Sequence, residues 1–265
     1  MKQHQDLTDL DPAGQDLRSI PGVYEKFINQ YQKDLVTVYD SWSVETARLM
    51  SLPDVTAVRA QVTFERRLSE LSIDLKILGR QRISEASGLG LGEVLGKRAS
   101  SPQVVETVTR LIAQNDAFID ESLIPSIRDR FAADASKIAS LPADERAAAA
   151  LESMSKRRAA IARGAGGAQV AIFDTQQAAG MAENEARMEA GQRPIAVRWV
   201  LDSTADHCQD DRKRGTFGCP TLARTYPRGW AALPTVPAGN VSCLGNCRCS
   251  LEADFEGSGV WKRIT

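Results

Sequence analysis

Five cysteines are the residues of this chain best suited to chemistry, and all of them lie in its last quarter. They are Cys208, Cys219, Cys243, Cys247 and Cys249, and the first 207 residues contain none. Thiolates in short clusters are typical ligands of a tetrahedral zinc ion, which takes four sulfur or imidazole ligands. The crowding therefore predicts that one small region is held together through sulfur, by a metal ion or by disulfides.

The cysteines outnumber the ligands that a four-coordinate ion needs. The two thiols of a Cys-x-Cys pair point to opposite sides of an extended chain. We therefore expect Cys208, Cys219 and Cys243 to bind a structural zinc ion together with either Cys247 or Cys249. Two other interpretations stay open: disulfides formed in an oxidising medium, and thiols that are simply small buried hydrophobes.

Catalysis is the competing interpretation of the same region. His207 adjoins Cys208, and four aspartates lie nearby: Asp202, Asp206, Asp210 and Asp211. A metal-dependent nuclease usually needs a histidine cluster or several carboxylates that converge on the ion. The aspartates here are close in sequence on a turn-rich segment, so we predict no catalytic site. His207 and Asp211 are kept as alternative metal ligands.

Charge and hydropathy exclude several classes of function. The formal net charge is −1, so the whole chain offers no general attraction to nucleic acid or to an anionic membrane. No stretch approaches the roughly 20 apolar residues that a transmembrane helix needs. The N-terminal residues are polar and acidic, so we expect no secretory signal. A reducing compartment would favour metal binding over disulfides.

The first 190 residues carry the pattern of long amphipathic helices. Apolar side chains recur at steps of three and four through residues 22–50, 55–78, 104–138 and 168–190. The second stripe includes Val58 and Val62, and the glycine-rich residues 87–92 that follow it are predicted to be a loop. Pro125 is predicted to kink or end the third helical run.

From Arg193 the pattern changes, and residues 195–201 are β-branched and aromatic, which predicts a strand. The predicted fold is mainly α, with a long helical part followed by a small, irregular α+β domain stapled by cysteines. We predict a flexible arm (1–21), a helical domain (22–191), a cysteine-rich domain (192–252) and a tail (253–265). Since residues 202–250 include few large apolar side chains, we expect sulfur to supply stability that burial does not.

The cysteine-rich region resembles the C-terminal domain of the Mu F-like head-morphogenesis proteins, which are minor head proteins of tailed bacteriophages. The resemblance covers about residues 168–252 and is most distinctive in the closing sequence CLGNCRCSLE. The matched positions are Trp199, Asp202, His207, Cys208, Cys243, Asn246, Cys247, Cys249 and Leu251. Members with two cysteines in the aspartate-rich turn commonly place the second where this chain has Asp211.

The resemblance implies a structural rather than an enzymatic role. Such minor capsid proteins join the procapsid during head morphogenesis, usually through the portal protein, and can remain in the head near packaged DNA. The resemblance thus implies that the protein is located in the virion, and in the host cytoplasm during assembly. The implied partners are the portal protein, the major capsid or scaffolding protein and packaged DNA, with no membrane. The alternative function is a metal-dependent nuclease or another DNA-acting enzyme of packaging or ejection.

Overall fold

The computed structural model describes residues 22–52, 56–94, 101–202, 209–210, 215–237 and 249–264. In these ranges the chain is mainly helical, with a small antiparallel sheet toward its C-terminal end, which confirms the predicted fold class. None of the helices in these ranges is both long and apolar enough to cross a membrane. The predicted arm, residues 1–21, lies outside the described residues.

Helices make up most of the described chain before the sheet. Their bounds are Gly22–Met50 (α1), Ala57–Val94 (α2), Pro102–Phe118 (α3), Ile124–Ala139 (α4), Ala143–Ser155 (α5), Arg158–Arg163 (α6) and Gly166–Glu189 (α7). The later elements are Ala196–Val200 (β1), Cys219–Leu222 (α8), Thr225–Tyr226 (β2), the 3-10 helix Gly229–Ala232, Ser250–Asp254 (β3) and Lys262–Arg263 (β4). The predicted helix over 22–50 and the predicted strand at 195–201 are confirmed.

The chain divides into two compact units. Of the described residues, the first unit takes in Asn29–Gln81 and Ile112–Ala165. The second takes in Arg82–Leu111 and the described part of Gly166–Thr265, together with the start of α1. Helix α7 therefore belongs to the same unit as the strands that follow it.

An aromatic cluster forms the centre of the first unit. The Trp42 ring lies 5.5 Å from that of Tyr39 and 6.0 Å from that of Phe64, and Phe64 stacks on Phe131 at 3.9 Å. The two polar ring atoms also have acceptors, because Trp42 Nε1 donates to the Arg67 carbonyl and Tyr39 Oη donates to the Met154 carbonyl. Contacts of this kind join α1 to α2 and α5 by both burial and directed hydrogen bonds.

Residues 87–92, predicted to be a loop, are helical, and α2 continues through them to Val94. The prediction was wrong because it counted the helix cost of glycine without the packing that offsets it. At Gly90 a Cβ atom would lie 2.6 Å from the Ile172 carbonyl oxygen of α7. Only glycine lets these two helices approach so closely.

The buried face of α2 also differs from the predicted stripe. Phe64, Leu68 and Leu71 are fully buried, as is Leu75, but Val58 and Val62 are exposed. Apolar spacing alone does not determine which side of a helix meets a partner. Val58 and Val62 instead lie on the outer side of α2.

The predicted interruption near Pro125 is confirmed and takes the form of a π-helical turn. This turn spans Ile119–Leu123 and joins α3 to α4, whose second residue is Pro125. Proline has no N–H to donate and fits best in the first turn of a helix. The backbone is helical on both sides of this wider turn, at Phe118 and at Ile124, so the turn accommodates Pro125 within one helical run.

Candidate metal centre

Trp199 and Leu251, the outermost motif residues of the resemblance, are directly paired in the sheet. The strand order is β2-β1-β3-β4, all antiparallel. In this register Trp199 lies opposite Leu251, and Val200 lies opposite Ser250. The residue before Ser250 is Cys249, so the sheet register fixes the point at which the cysteine-rich segment enters β3.

Helix α7 holds the irregular segments of this domain through side-chain amides. Asn184 accepts a hydrogen bond from the Ile195 N–H at 2.8 Å and donates to the Ile195 carbonyl at 3.4 Å, just before β1. Gln177 donates to the Trp230 and Leu233 carbonyls, both at 3.3 Å, around the 3-10 helix. Backbone groups in buried irregular segments need such partners, since no neighbouring strand supplies them.

The indole of Trp230 packs directly on the backbone of α7. A Cβ atom at Gly180 would lie 2.3 Å from Trp230 Nε1, so glycine is required for the contact. Trp230 is fully buried, and Leu222, Tyr226 and Leu233 share its core. In the described part of residues 202–250 these side chains bury more surface than expected, because α7 provides the apolar surface that they cover.

Cys219 and Cys249 are both buried in this same core. They are 30 residues apart in sequence, at the first residue of α8 and at the residue before β3. The fold thus places two of the five predicted ligands in one hydrophobic core of twelve buried residues. Their donor chemistry, thiols in a protected environment, fits a structural zinc ion.

Asp210 fixes the chain beside Cys219. Its carboxylate accepts hydrogen bonds from the Gly218 N–H at 2.5 Å and from Thr221 Oγ1 at 3.2 Å. These partners lie on either side of Cys219 in sequence. Asp210 therefore joins residues 209–210 to the start of α8.

The other predicted ligands lie outside the described residues. These are Cys208, Cys243 and Cys247, with the alternates His207 and Asp211. Among the residues that the structure does describe, no group of three or more His, Cys, Asp or Glu side chains is placed to hold a metal ion. The complete ligand set therefore stays a prediction. The structure describes two of its thiols, those of Cys219 and Cys249, and both are buried.

Residues 253–264, predicted to be a tail, contain ordered elements of the sheet. They include the end of β3, strand β4 and Ile264, which is buried in the core. Trp261 packs against the Arg198 guanidinium at 4.6 Å, and Arg198 also pairs with Glu252 at 2.5 Å on the adjacent strand. This segment therefore covers the outer side of the sheet.

Sequence reasoning missed the residues on α7 that organise the domain. Asn184, Gln176 and Gln177 lie among apolar residues on a helix that is buried over much of its length. Polar side chains that interrupt an apolar helix signal buried hydrogen bonds, since an unpaired amide is costly to bury. That signal was present in the sequence, but it did not identify the partners.

Comparison with known proteins gave no match to a family model, to a curated protein or to a solved structure. The class of protein has to be inferred from the chain's own residues and geometry.

Proposed function

We propose that this chain is a minor head protein of a tailed bacteriophage that acts in head morphogenesis at or near the portal. Its role is structural rather than catalytic, and its location is the virion, with the host cytoplasm during assembly. The observation that carries the proposal is the pairing of Trp199 with Leu251, the outermost motif residues of the Mu F-like resemblance. The segment between them also returns two cysteines to one core.

The proposed partner is the portal protein, with the major capsid or scaffolding protein and packaged DNA as further contacts. Long helices joined to a small terminal domain are suited to assembly, because exposed helix faces offer extended docking surfaces. Two polar side chains of this domain are bound into the fold, Asp210 by Gly218 and Thr221 and Arg198 by Glu252. That arrangement supports a scaffold role.

A structural zinc ion belongs to the same proposal. Cys219 and Cys249 would hold it, with further ligands from Cys208, Cys243 and Cys247. The ion would contribute folding free energy to the domain and carry no reaction. Zinc fits because the donors are thiols and two of them are buried in the same hydrophobic core.

Co-expression with the portal protein encoded in the same genome tests the functional proposal. We expect the tagged chain to retain the portal protein through purification, and we expect mass spectrometry to find the chain in purified heads. A chain that neither binds the portal protein nor appears in heads would contradict the proposal.

Metal analysis of the purified chain tests the zinc site separately. We expect about one zinc ion per chain, and the double variant Cys219→Ser/Cys249→Ser should lose at least nine-tenths of it. Both residues are also part of the core, so the readout is bound zinc rather than stability. Ser250→Ala is the matched control, since it alters a buried neighbour of Cys249 without removing a thiol. Wild-type protein without metal would overturn the site.

A further inference from the structure

An apolar stripe runs along the outer side of α2. The exposed fractions of Val58, Val62, Ile73 and Ile77 are 74, 65, 57 and 59%. Single exposed aliphatic side chains are ordinary, but these four lie on one side of one helix. With Arg66 and Ser69 between them they form a continuous exposed line, which we name the α2 stripe.

The α2 stripe has the same spacing in both directions. Its six positions are separated by four, four, three, four and four residues, so the series reads the same from either end. The midpoint of the series is the bond between Arg67 and Leu68. Steps of this kind belong to an 11-residue repeat, which keeps a stripe nearly straight along a helix. A second copy, rotated by a two-fold axis at that point, would set Val58 against its Ile77 and Val62 against its Ile73.

The charges beside the stripe are complementary in the same arrangement. Arg66 lies within the N-terminal half of the stripe and Arg59 lies beside that half, whereas Glu70 and Asp74 lie beside its C-terminal half on the same side of the helix. Within one chain Arg66 already pairs with Glu70 at 3.9 Å. In an antiparallel helix pair, equivalent sides of the two helices face each other. Arg66 of one copy then meets Glu70 of the other, and Arg59 meets Asp74.

We propose that the α2 stripe is a homodimer interface, in which the α2 helices of two copies pack antiparallel about a two-fold axis between Arg67 and Leu68. The contact spans about 30 Å of helix. It is smaller than a standard stable interface, so we expect dimers that form with rising concentration. All of the residues lie in the first unit, and the proposal holds whether or not the chain is a head protein.

Sedimentation equilibrium on the full chain tests the apolar part of the interface. Wild-type protein should pass from monomer to dimer between low micromolar and several hundred micromolar concentration. Val62→Asp/Ile73→Asp should raise the dissociation constant by at least about 100-fold, with an unchanged circular dichroism melt because both residues are exposed. Val105→Asp is the control, since Val105 is equally exposed on α3. A wild-type monomer at every concentration would overturn the proposal.

A charge exchange tests the antiparallel direction. Arg59→Glu and Asp74→Arg should each weaken dimerisation by about tenfold, and the two changes together should restore it. The two residues are 15 positions apart, about 22 Å along one helix, so a recovery arises only between chains. If the two losses simply add, the antiparallel pairing is wrong; if Val105→Asp weakens dimerisation as strongly as the double aspartate variant, the interface lies elsewhere.

Discussion

The Asn184 side chain binds the backbone of Ile195 in place of a neighbouring strand. Its amide binds both the N–H and the carbonyl of that residue, as a strand partner would, and both groups are buried. A Cβ atom at Gly229 would lie 2.1 Å from the Asn184 amide nitrogen and 2.2 Å from the Ile195 carbonyl. The amide is therefore enclosed on that side as well, so its loss cannot be repaired by a small movement.

Replacing Asn184 by alanine should lower the free energy of unfolding by about 2–4 kcal/mol, because two buried backbone groups lose their partner. Urea denaturation followed by circular dichroism measures the change. Gln103→Ala removes an amide whose bond to Glu185 is exposed, and it should cost less than about 0.5 kcal/mol. Equal effects of the two substitutions would show that the Asn184 amide has no special role.

Helix α2 shows how one element can contain glycines with opposite roles. Gly90 faces the backbone of Ile172, whereas a Cβ atom at Gly88, two residues earlier and exposed, would meet nothing within 4 Å. Glycine in a helix costs about 1 kcal/mol relative to alanine when no contact requires it. The cost is therefore offset at Gly90 and left uncompensated at Gly88.

The single substitutions Gly88→Ala and Gly90→Ala should change the free energy of unfolding in opposite directions. The first should raise the free energy of unfolding by about 0.5–1 kcal/mol through helix propensity. The second should lower it by at least about 2 kcal/mol, because α2 and α7 must separate to admit a methyl group. Thermal denaturation of the two variants beside the wild type gives both signs. Destabilisation by Gly88→Ala would mean that this end of α2 is not helical.

Carboxylates that join distant helices should shape the response of the whole molecule to acid. Asp120 accepts hydrogen bonds from Lys76 at 2.5 Å and from Ser72 at 3.1 Å on α2. The hydrogen bond from Lys76, with a smaller effect of Ser72, lowers the pKa of Asp120 below its usual value. Hydrogen bonding from Ser153 likewise lowers the pKa of Asp134.

The pKa of Asp120 is lower in the folded state than in the unfolded state. Its contribution to the free energy of unfolding is therefore present above the unfolded pKa of about 3.9 and is lost as pH falls through the folded pKa. Asp120→Asn should therefore show a smaller loss of stability than wild type between pH 5 and pH 2. Urea midpoints across that range measure the difference. Asp144→Asn, at an exposed carboxylate in the first turn of α5, is the comparison substitution. Identical slopes for wild type and Asp120→Asn would contradict the assignment.

Local patterns predicted most elements of the molecule but few of its contacts. Apolar side chains at steps of three and four residues were sufficient to predict α1, and the β-branched run was sufficient to predict β1. Neither pattern could show that Gly90 meets α7 or that Val58 is exposed, because both facts depend on residues far away in sequence. The cysteine clustering likewise located the candidate site, while the amides of α7 that support it carry no local signature.

The bond between Asn184 and Ile195 has a consequence for the order of events during synthesis. It closes over a separation of 11 positions, whereas the β1–β3 pairing must wait until Ser250, 50 positions after Val200, has been made. A ribosome needs about 3–10 s for that length. During this interval the nascent β1 edge can already be anchored to α7, which limits the time for which it is open to pairing with another growing chain.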